Sequence, residues 1–260
     1  KEMAATLLAQ KYHVAKTTGN LNNTIGLPAE LVRMPESTEC AVFEMGMSTP
    51  GEIRLLSELE RPDAACVTAV TAAHLQNFSA LDGVMEAKAE ILEGLRPDGT
   101  FVANADDSRV AAIADRCRGR VIRFARSAAA DVTADRFETL ETGTRFRLRA
   151  PSGETAVTLP LPGTHQAVNF LAASAVALAA GATLEDCAAA APGLGPSPHR
   201  GEFRRHASGA LLYDDSYNAN PVSLRAALDT LAGLSATRRI AVLGDMRELG
   251  ADEESWHRNL

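Results

Sequence analysis

Cys40-Ala41-Val42-Phe43-Glu44-Met45-Gly46 is an apolar run that closes on a carboxylate, and Ala65-Cys66-Val67-Thr68-Ala69-Val70 is a second such run. Between them Ile53, Leu55, Leu56 and Leu59 recur at helical spacing. Short apolar strands joined by an amphipathic helix specify parallel strands, because a parallel pair needs a crossover that covers one face of the sheet. This unit sets the fold class as α/β. Downstream the form repeats with a helix from about Val84 to Leu95, a turn at Arg96-Pro97-Asp98-Gly99 and a strand at Thr100–Ala103, and Val121–Phe124 continues the sheet. Upstream, Met3, Leu7 and Leu8 mark a helix within residues 2–12, which the polar stretch Thr17–Asn23 interrupts.

From Val132 to Leu161 the pattern changes to short alternating segments such as Arg145-Phe146-Arg147-Leu148-Arg149, with turn signals at Thr142-Gly143 and Pro151-Ser152-Gly153. This predicts an antiparallel meander inserted in the α/β unit. A helix of small residues follows at His165–Ala180. The cluster Pro192-Gly193-Leu194-Gly195-Pro196-Ser197-Pro198 then separates a first domain, 1–197, from a second α/β unit, 198–260. That unit is expected to hold a strand at Leu211–Tyr213, a helix at Val222–Leu234 and a strand at Arg239–Leu243.

Of the 260 residues, 46% are apolar and 23% charged, which excludes collagen-like, disordered and membrane-spanning classes. The net charge of −7 argues against a nucleic-acid partner and for small-molecule ligands. Cys40, Cys66, Cys117 and Cys187 form no C-x-x-C pair, so a reducing cytoplasm is expected. The longest apolar stretch, Phe170–Ala182, is shorter than the ~20 residues that span a bilayer. No secretory signal opens the chain, and both ends read as cut points: Lys1-Glu2-Met3 looks like mid-helix, and the chain closes in a polar run from Trp256 to Leu260.

In an open parallel sheet, ligands collect beyond the carboxyl ends of the strands. Glu44, His74, Asp214, Asp215 and Asp245 all follow apolar runs and occupy such positions. Each also has an ordinary reading as a cap, a turn or a packing residue. Lys88 is the sharpest anomaly, since it shares a helix face with Val84, Ile91 and Leu95 while Glu86, Glu90 and Glu93 lie opposite. Only four lysines occur, and Lys88 alone lies beyond Lys16. Its stem either snorkels, or the amine is desolvated and nucleophilic, able to act as a base, form a Schiff base or be carbamylated. Gly163-Thr164-His165-Gln166, with Asn169 one turn on, opens a helix whose free N–H groups suit an anion or a base, or are simply capped. Asn220-Pro221 is an N-cap and first-turn pair, and Asn22-Asn23 lies in a polar loop. No Gly-rich phosphate cradle is present.

Taken in order, Asn20-Leu21-Asn22-Asn23-Thr24-Ile25-Gly26-Leu27-Pro28, Phe43-Glu44-Met45-Gly46, Val67–Val70 through His74-Leu75, Ala87-Lys88-Ala89-Glu90-Ile91, Asp214–Pro221 and Leu243-Gly244-Asp245-Met246-Arg247-Glu248-Leu249-Gly250 resemble the Mur ligases of peptidoglycan synthesis. The Tyr217-Asn218-Ala219-Asn220-Pro221 and Leu243–Gly250 words resemble the branch that adds D-alanyl-D-alanine to UDP-N-acetylmuramoyl-tripeptide. The resemblance implies a P-loop-type ATP-binding central domain and a partial Rossmann-like C-terminal domain. It implies ATP-dependent amide formation through an acyl phosphate, with no nucleic acid or membrane span, in a cytoplasmic monomer. By the same resemblance, Glu44, His74 and a carbamylated Lys88 are the catalytic residues and hold magnesium. Asn169, His165, Arg200, Asp215 and Asn218 serve ATP, and Asn22, Asn23, Tyr217 and Asn220 serve the substrates.

The sequence departs from the family where a Gly-rich run ending Gly-Lys-Thr is expected directly before Lys1. It also carries Gln166 in place of the usual Asn, and Thr71-Ala72-Ala73 before His74. The chain alone is expected not to turn over ATP. Alternatives are a sibling or folylpolyglutamate-type amide ligase, and a non-catalytic nucleotide-binding module.

Overall fold

The computed structural model describes residues 1–72, 75–78, 80–140 and 143–260, without the side chains of 139 and 251. The order begins α1 (Glu2–Leu8), β1 (Val14–Lys16), α2 (Gly26–Arg33), β2 (Cys40–Val42), α3 (Glu52–Glu60) and β3 (Ala64–Val67). It continues through α4 (Leu81–Ala89), α5 (Ile91–Gly94), β4 (Thr100–Asn104), α6 (Ser108–Ala114), β5 (Arg120–Ala125), β6 (Val132–Leu140), β7 (Gly143–Ala150) and β8 (Gly153–Leu159). Then come α7 (Thr164–Ala179), α8 (Leu184–Ala190), β9 (Glu202–Arg205), β10 (Leu211–Asp214), α9 (Pro221–Gly233) and α10 (Glu253–Arg258).

Six strands form one sheet in the order β3-β4-β5-β6-β7-β8. The first four are parallel neighbours and the last three antiparallel ones. The meander therefore extends the edge of the parallel sheet through the β5–β6 pair. Strands β1 and β2 form a separate parallel pair. Side-chain alternation on β4 divides the core into two layers: Val102 joins Leu7, Leu8, Phe124, Phe146 and Phe170, while Phe101 and Ala103 join Val84, Ala87, Ile91, Val110 and Ile113. Helix α7 packs across the first layer against α1 and the middle strands, and α3 to α6 belong to the second.

Three sequence expectations change. The helix expected at Val84–Leu95 is two helices meeting at Glu90, because the Glu90 carboxylate caps another element: it accepts N–H bonds from Gly51 at 2.7 Å and Arg54 at 3.1 Å at the start of α3. Strand β3 ends at Val67, before Val70, because side chains replace the ladder: Asn104 Nδ2 donates to the Thr68 carbonyl and Asp107 accepts the Val70 N–H. The strand expected at Arg239–Leu243 is absent, although the run is apolar. Ile240, Val242 and Leu243 are exposed there and pair with no strand among the described residues, and a strand needs a neighbour to satisfy its backbone. Strand β9, in contrast, is charged along Glu202-Phe203-Arg204-Arg205 and forms only because β10 lies antiparallel to it, with the Phe203 and Tyr213 rings 4.9 Å apart.

Candidate active site

Parallel pairing of β1 and β2 brings Lys16 opposite Val42, so both chains leave the pair at the same end. Thr17, fully buried, bonds across this exit: its N–H donates to the Val42 carbonyl, and its hydroxyl accepts the Glu44 N–H at 3.0 Å. The Glu44 side chain is thereby aimed beyond the strand tips. Asn22 Nδ2 donates to Glu44 Oε1 at 2.9 Å, and Lys1 Nζ lies 3.9 Å from Glu44 Oε2. The loop closes tightly over Asn22, since the Gly46 N–H reaches the Asn22 carbonyl at 2.7 Å and a Cβ on residue 46 would come within 2.9 Å of Asn22 Oδ1. Asn23 acts elsewhere, through an Oδ1 that accepts the Ile25 and Gly26 N–H groups and starts α2.

Lys88 is half-buried on α4 beside the buried Ala87. Desolvation pushes its ammonium below the usual lysine range, and the Asp107 carboxylate opposes that shift. Asp107 is also a brace. It caps α6 by accepting the Arg109 and Val110 N–H groups, and it takes the Val70 N–H at 2.8 Å from the segment after β3. Met45 and Met47, downstream of Glu44, pack on the same apolar layer as Val84 and Ala87. The Glu44 and Lys88 segments therefore share one core. His74 lies outside the described residues, and among the described residues no group of three or more His, Cys, Asp and Glu side chains is placed to hold a metal.

A second cluster forms where α7 meets the chain after residue 198. Asn169 Nδ2 donates to Gln166 Oε1 at 3.4 Å, and burial lowers the His165 pKa. Gly201 takes φ +71°, a conformation side chains rarely adopt, and a Cβ there would meet the Tyr213 hydroxyl at 3.4 Å and Gln166 Nε2 at 3.6 Å. The Arg200 guanidinium stacks 4.0 Å from the Tyr217 ring centroid. Asp215 is pushed up by burial, while the Gly201 N–H and the Arg200 charge pull it down. Asp214 is held at about 2 by Ser216 and His199. The expected nucleotide residues Arg200 and Asp215 thus meet, and Gly201 links them to Gln166, one turn from Asn169 on α7. Asn218 Oδ1 accepts the Ala219 N–H, and Asn220 caps α9 through the Val222 and Ser223 N–H groups. Asp245 is exposed and makes no hydrogen bond among the described residues.

Sequence reasoning missed Thr17, Lys1 and Asp107. An aspartate directly before a helix is a legible N-cap signal and could have exposed Asp107. Thr17 and Lys1 carry no local signal, because their partners are distant in sequence.

Residues 1–177 match the family model for the Mur ligase middle domain, and residues 199–260 match that for the Mur ligase, glutamate ligase domain. UDP-N-acetylmuramoyl-tripeptide--D-alanyl-D-alanine ligase of Escherichia coli strain K12 is 42% identical over 262 residues, covering 99% of this chain and 57% of that protein. The crystal structure of MurF from Acinetobacter baumannii superposes with a TM-score of 0.94 at 33% identity, over 100% of this chain and 56% of that one. MurF ligase from Thermotoga maritima in complex with ADP gives 0.89 at 29% identity, over 100% of this chain and 60% of that one. The chain spans somewhat more than half the length of these relatives. With the middle-domain model matching most of its residues, this chain belongs to the Mur ligase family.

Proposed function

We propose that this chain is the nucleotide-handling part of an ATP-dependent amide ligase that adds D-alanyl-D-alanine to UDP-N-acetylmuramoyl-tripeptide in peptidoglycan synthesis. The observation that carries this reading is the 42% identity, over 99% of the chain, to the E. coli ligase of that name. In the same proposal the two units divide at 197/198, and the protein works in the cytoplasm as a monomer. All four cysteines are free, and among the described residues no helix is long and apolar enough to cross a membrane.

The site's chemistry suits this role. A desolvated amine spends more time neutral, and a neutral Lys88 adds carbon dioxide: an N–C bond forms and the proton leaves to solvent. The resulting carbamate is an oxygen ligand, which a hard divalent cation prefers to nitrogen. Glu44, Lys88 as its carbamate, and His74 would hold magnesium, with Asn22 orienting Glu44. Bound there, magnesium supplies charge neutralisation at the triphosphate. Arg200 would bind ATP phosphates and Asn169 the adenine, with His165, Asp215 and Asn218 around them, while Asn22, Asn23, Tyr217 and Asn220 serve the peptide and sugar-nucleotide side. The tripeptide carboxylate takes the γ-phosphoryl group as its bond to ADP breaks, and the dipeptide amine then attacks the acyl phosphate, expelling phosphate and losing a proton to solvent.

The test is acceptor profiling by mass spectrometry with a full-length enzyme carrying this sequence. Product from D-alanyl-D-alanine is expected, with none from glutamate. Lys88→Ala is expected to lower the rate about 100-fold or more and to remove the carbamate signal after ¹³C-bicarbonate exchange. Preference for glutamate, or full activity in Lys88→Ala, would overturn the assignment.

A further inference from the structure

Lys1 is far more enclosed than Lys16, its neighbour along the same row of charges. Its side chain is 8% exposed, against 47% for Lys16. A buried ammonium is costly unless hydrogen-bonded and paired. Lys1 Nζ donates to the Gly19 carbonyl at 2.7 Å, and it lies 3.4 Å from Glu2 Oε1 and 3.9 Å from Glu44 Oε2. Glu2 already has Lys16 on its other oxygen, and Glu44 has Asn22 on its other oxygen. The ammonium therefore closes an alternating row, Lys16, Glu2, Lys1, Glu44, that ends on the Asn22 amide. It also ties down the loop between Thr17 and Asn22 at Gly19, while Thr17 holds the Glu44 backbone from the other side.

We propose that Lys1 is a positioning residue for the ligase site: it fixes the Gly19 loop and the Glu44 carboxylate, and its side-chain nitrogen, 3.9 Å from Oε2, limits how tightly a divalent cation binds there. The inference rests on Glu44 being a cation ligand. A cation on Glu44 must share that carboxylate with the ammonium, and two positive charges on one acceptor repel. The loop with Asn22 and Asn23 is thereby coupled to cation binding through one side chain.

The experiment is Mn²⁺ titration of a full-length enzyme carrying this sequence, read by electron paramagnetic resonance, with and without ADP. Lys1→Gln keeps a donor for Gly19 and removes the charge, and Lys1→Met removes both. Each neutral variant is expected to bind Mn²⁺ about fivefold or more tightly than the parent, and Lys1→Arg within about twofold of it. A purely structural role predicts the opposite sign, since a loosened Glu44 binds more weakly. Binding that Glu44→Gln weakens but neither neutral variant tightens overturns the role of Lys1 alone. Binding that Glu44→Gln leaves unchanged, or no binding at all, overturns the metal assignment and this inference with it.

Discussion

Glu60, half-buried at the end of α3, illustrates how a single enclosed carboxylate sets a pH response that no motif announces. Its Oε1 has no hydrogen-bond partner among the described residues, and burial pushes the carboxyl up to about 8. The folded protein therefore holds this proton more tightly than the unfolded chain, in which the group titrates near 4.5. Between those values the folded state binds more protons, so stability falls as pH rises. Chemical denaturation at several pH values is expected to show a loss of roughly 3 kcal/mol between pH 5 and pH 8. Glu60→Gln, neutral throughout, should flatten that slope; an unchanged slope would refute the assignment. Lys88 and Glu60 share one physical cause, desolvation of a charge, yet only Lys88 lies beside the segments that lead from the strand tips.

At the level of elements, the site depends on how closely α5 approaches α3. A Cβ on Gly94 would come 2.1 Å from the Ser57 carbonyl carbon and oxygen, so only glycine allows the two backbones to meet. The same junction carries Glu90, which caps α3, and Ser57, whose hydroxyl reaches the Arg54 carbonyl. Gly94→Ala must push the helices apart and is expected to cost ~3 kcal/mol by urea unfolding, with α4 and Lys88 displaced. Gly193→Ala, where a Cβ meets nothing within 4 Å, is the control and should cost far less. Equal losses for the two variants would show that the close approach is not what matters.

Across the whole molecule, residues 246–249 pack against the loop after β3. Met246 and Leu249 are buried against Ala72, and Gln76 donates to the Glu248 carbonyl, so the Leu-Gly-Asp-Met word rests on the loop after β3. His257 reinforces this by accepting the Met246 N–H and bonding the Glu253 carbonyl. Leu249→Ala removes a buried side chain from this contact and is expected to cost ~2–3 kcal/mol of local stability. Hydrogen exchange should then quicken in both 75–78 and 246–257, with β4 and β5 unchanged. Faster exchange confined to 246–257 would mean that the two segments are not coupled.

The sequence by itself determined the α/β class and many of its strands and helices, because burying a face leaves a local pattern, but β1, α2, α6, α8, β9 and α10 were not read from it. It also singled out Glu44 and Lys88, since a charge at a strand tip or on an apolar helix face violates that pattern. It could not show that the apolar Arg239–Leu243 run stays unpaired, that Glu90 divides a helix in order to cap another, or that a charged β9 pairs with β10. Each of those outcomes depends on a partner distant in the chain. The same holds at the site, where Lys1, Thr17 and Asn22 reach Glu44, and Gly201 joins Arg200 and Asp215 to α7. Backbone and carboxylate groups must find donors wherever the fold places them, and only the tertiary structure decides which donors those are.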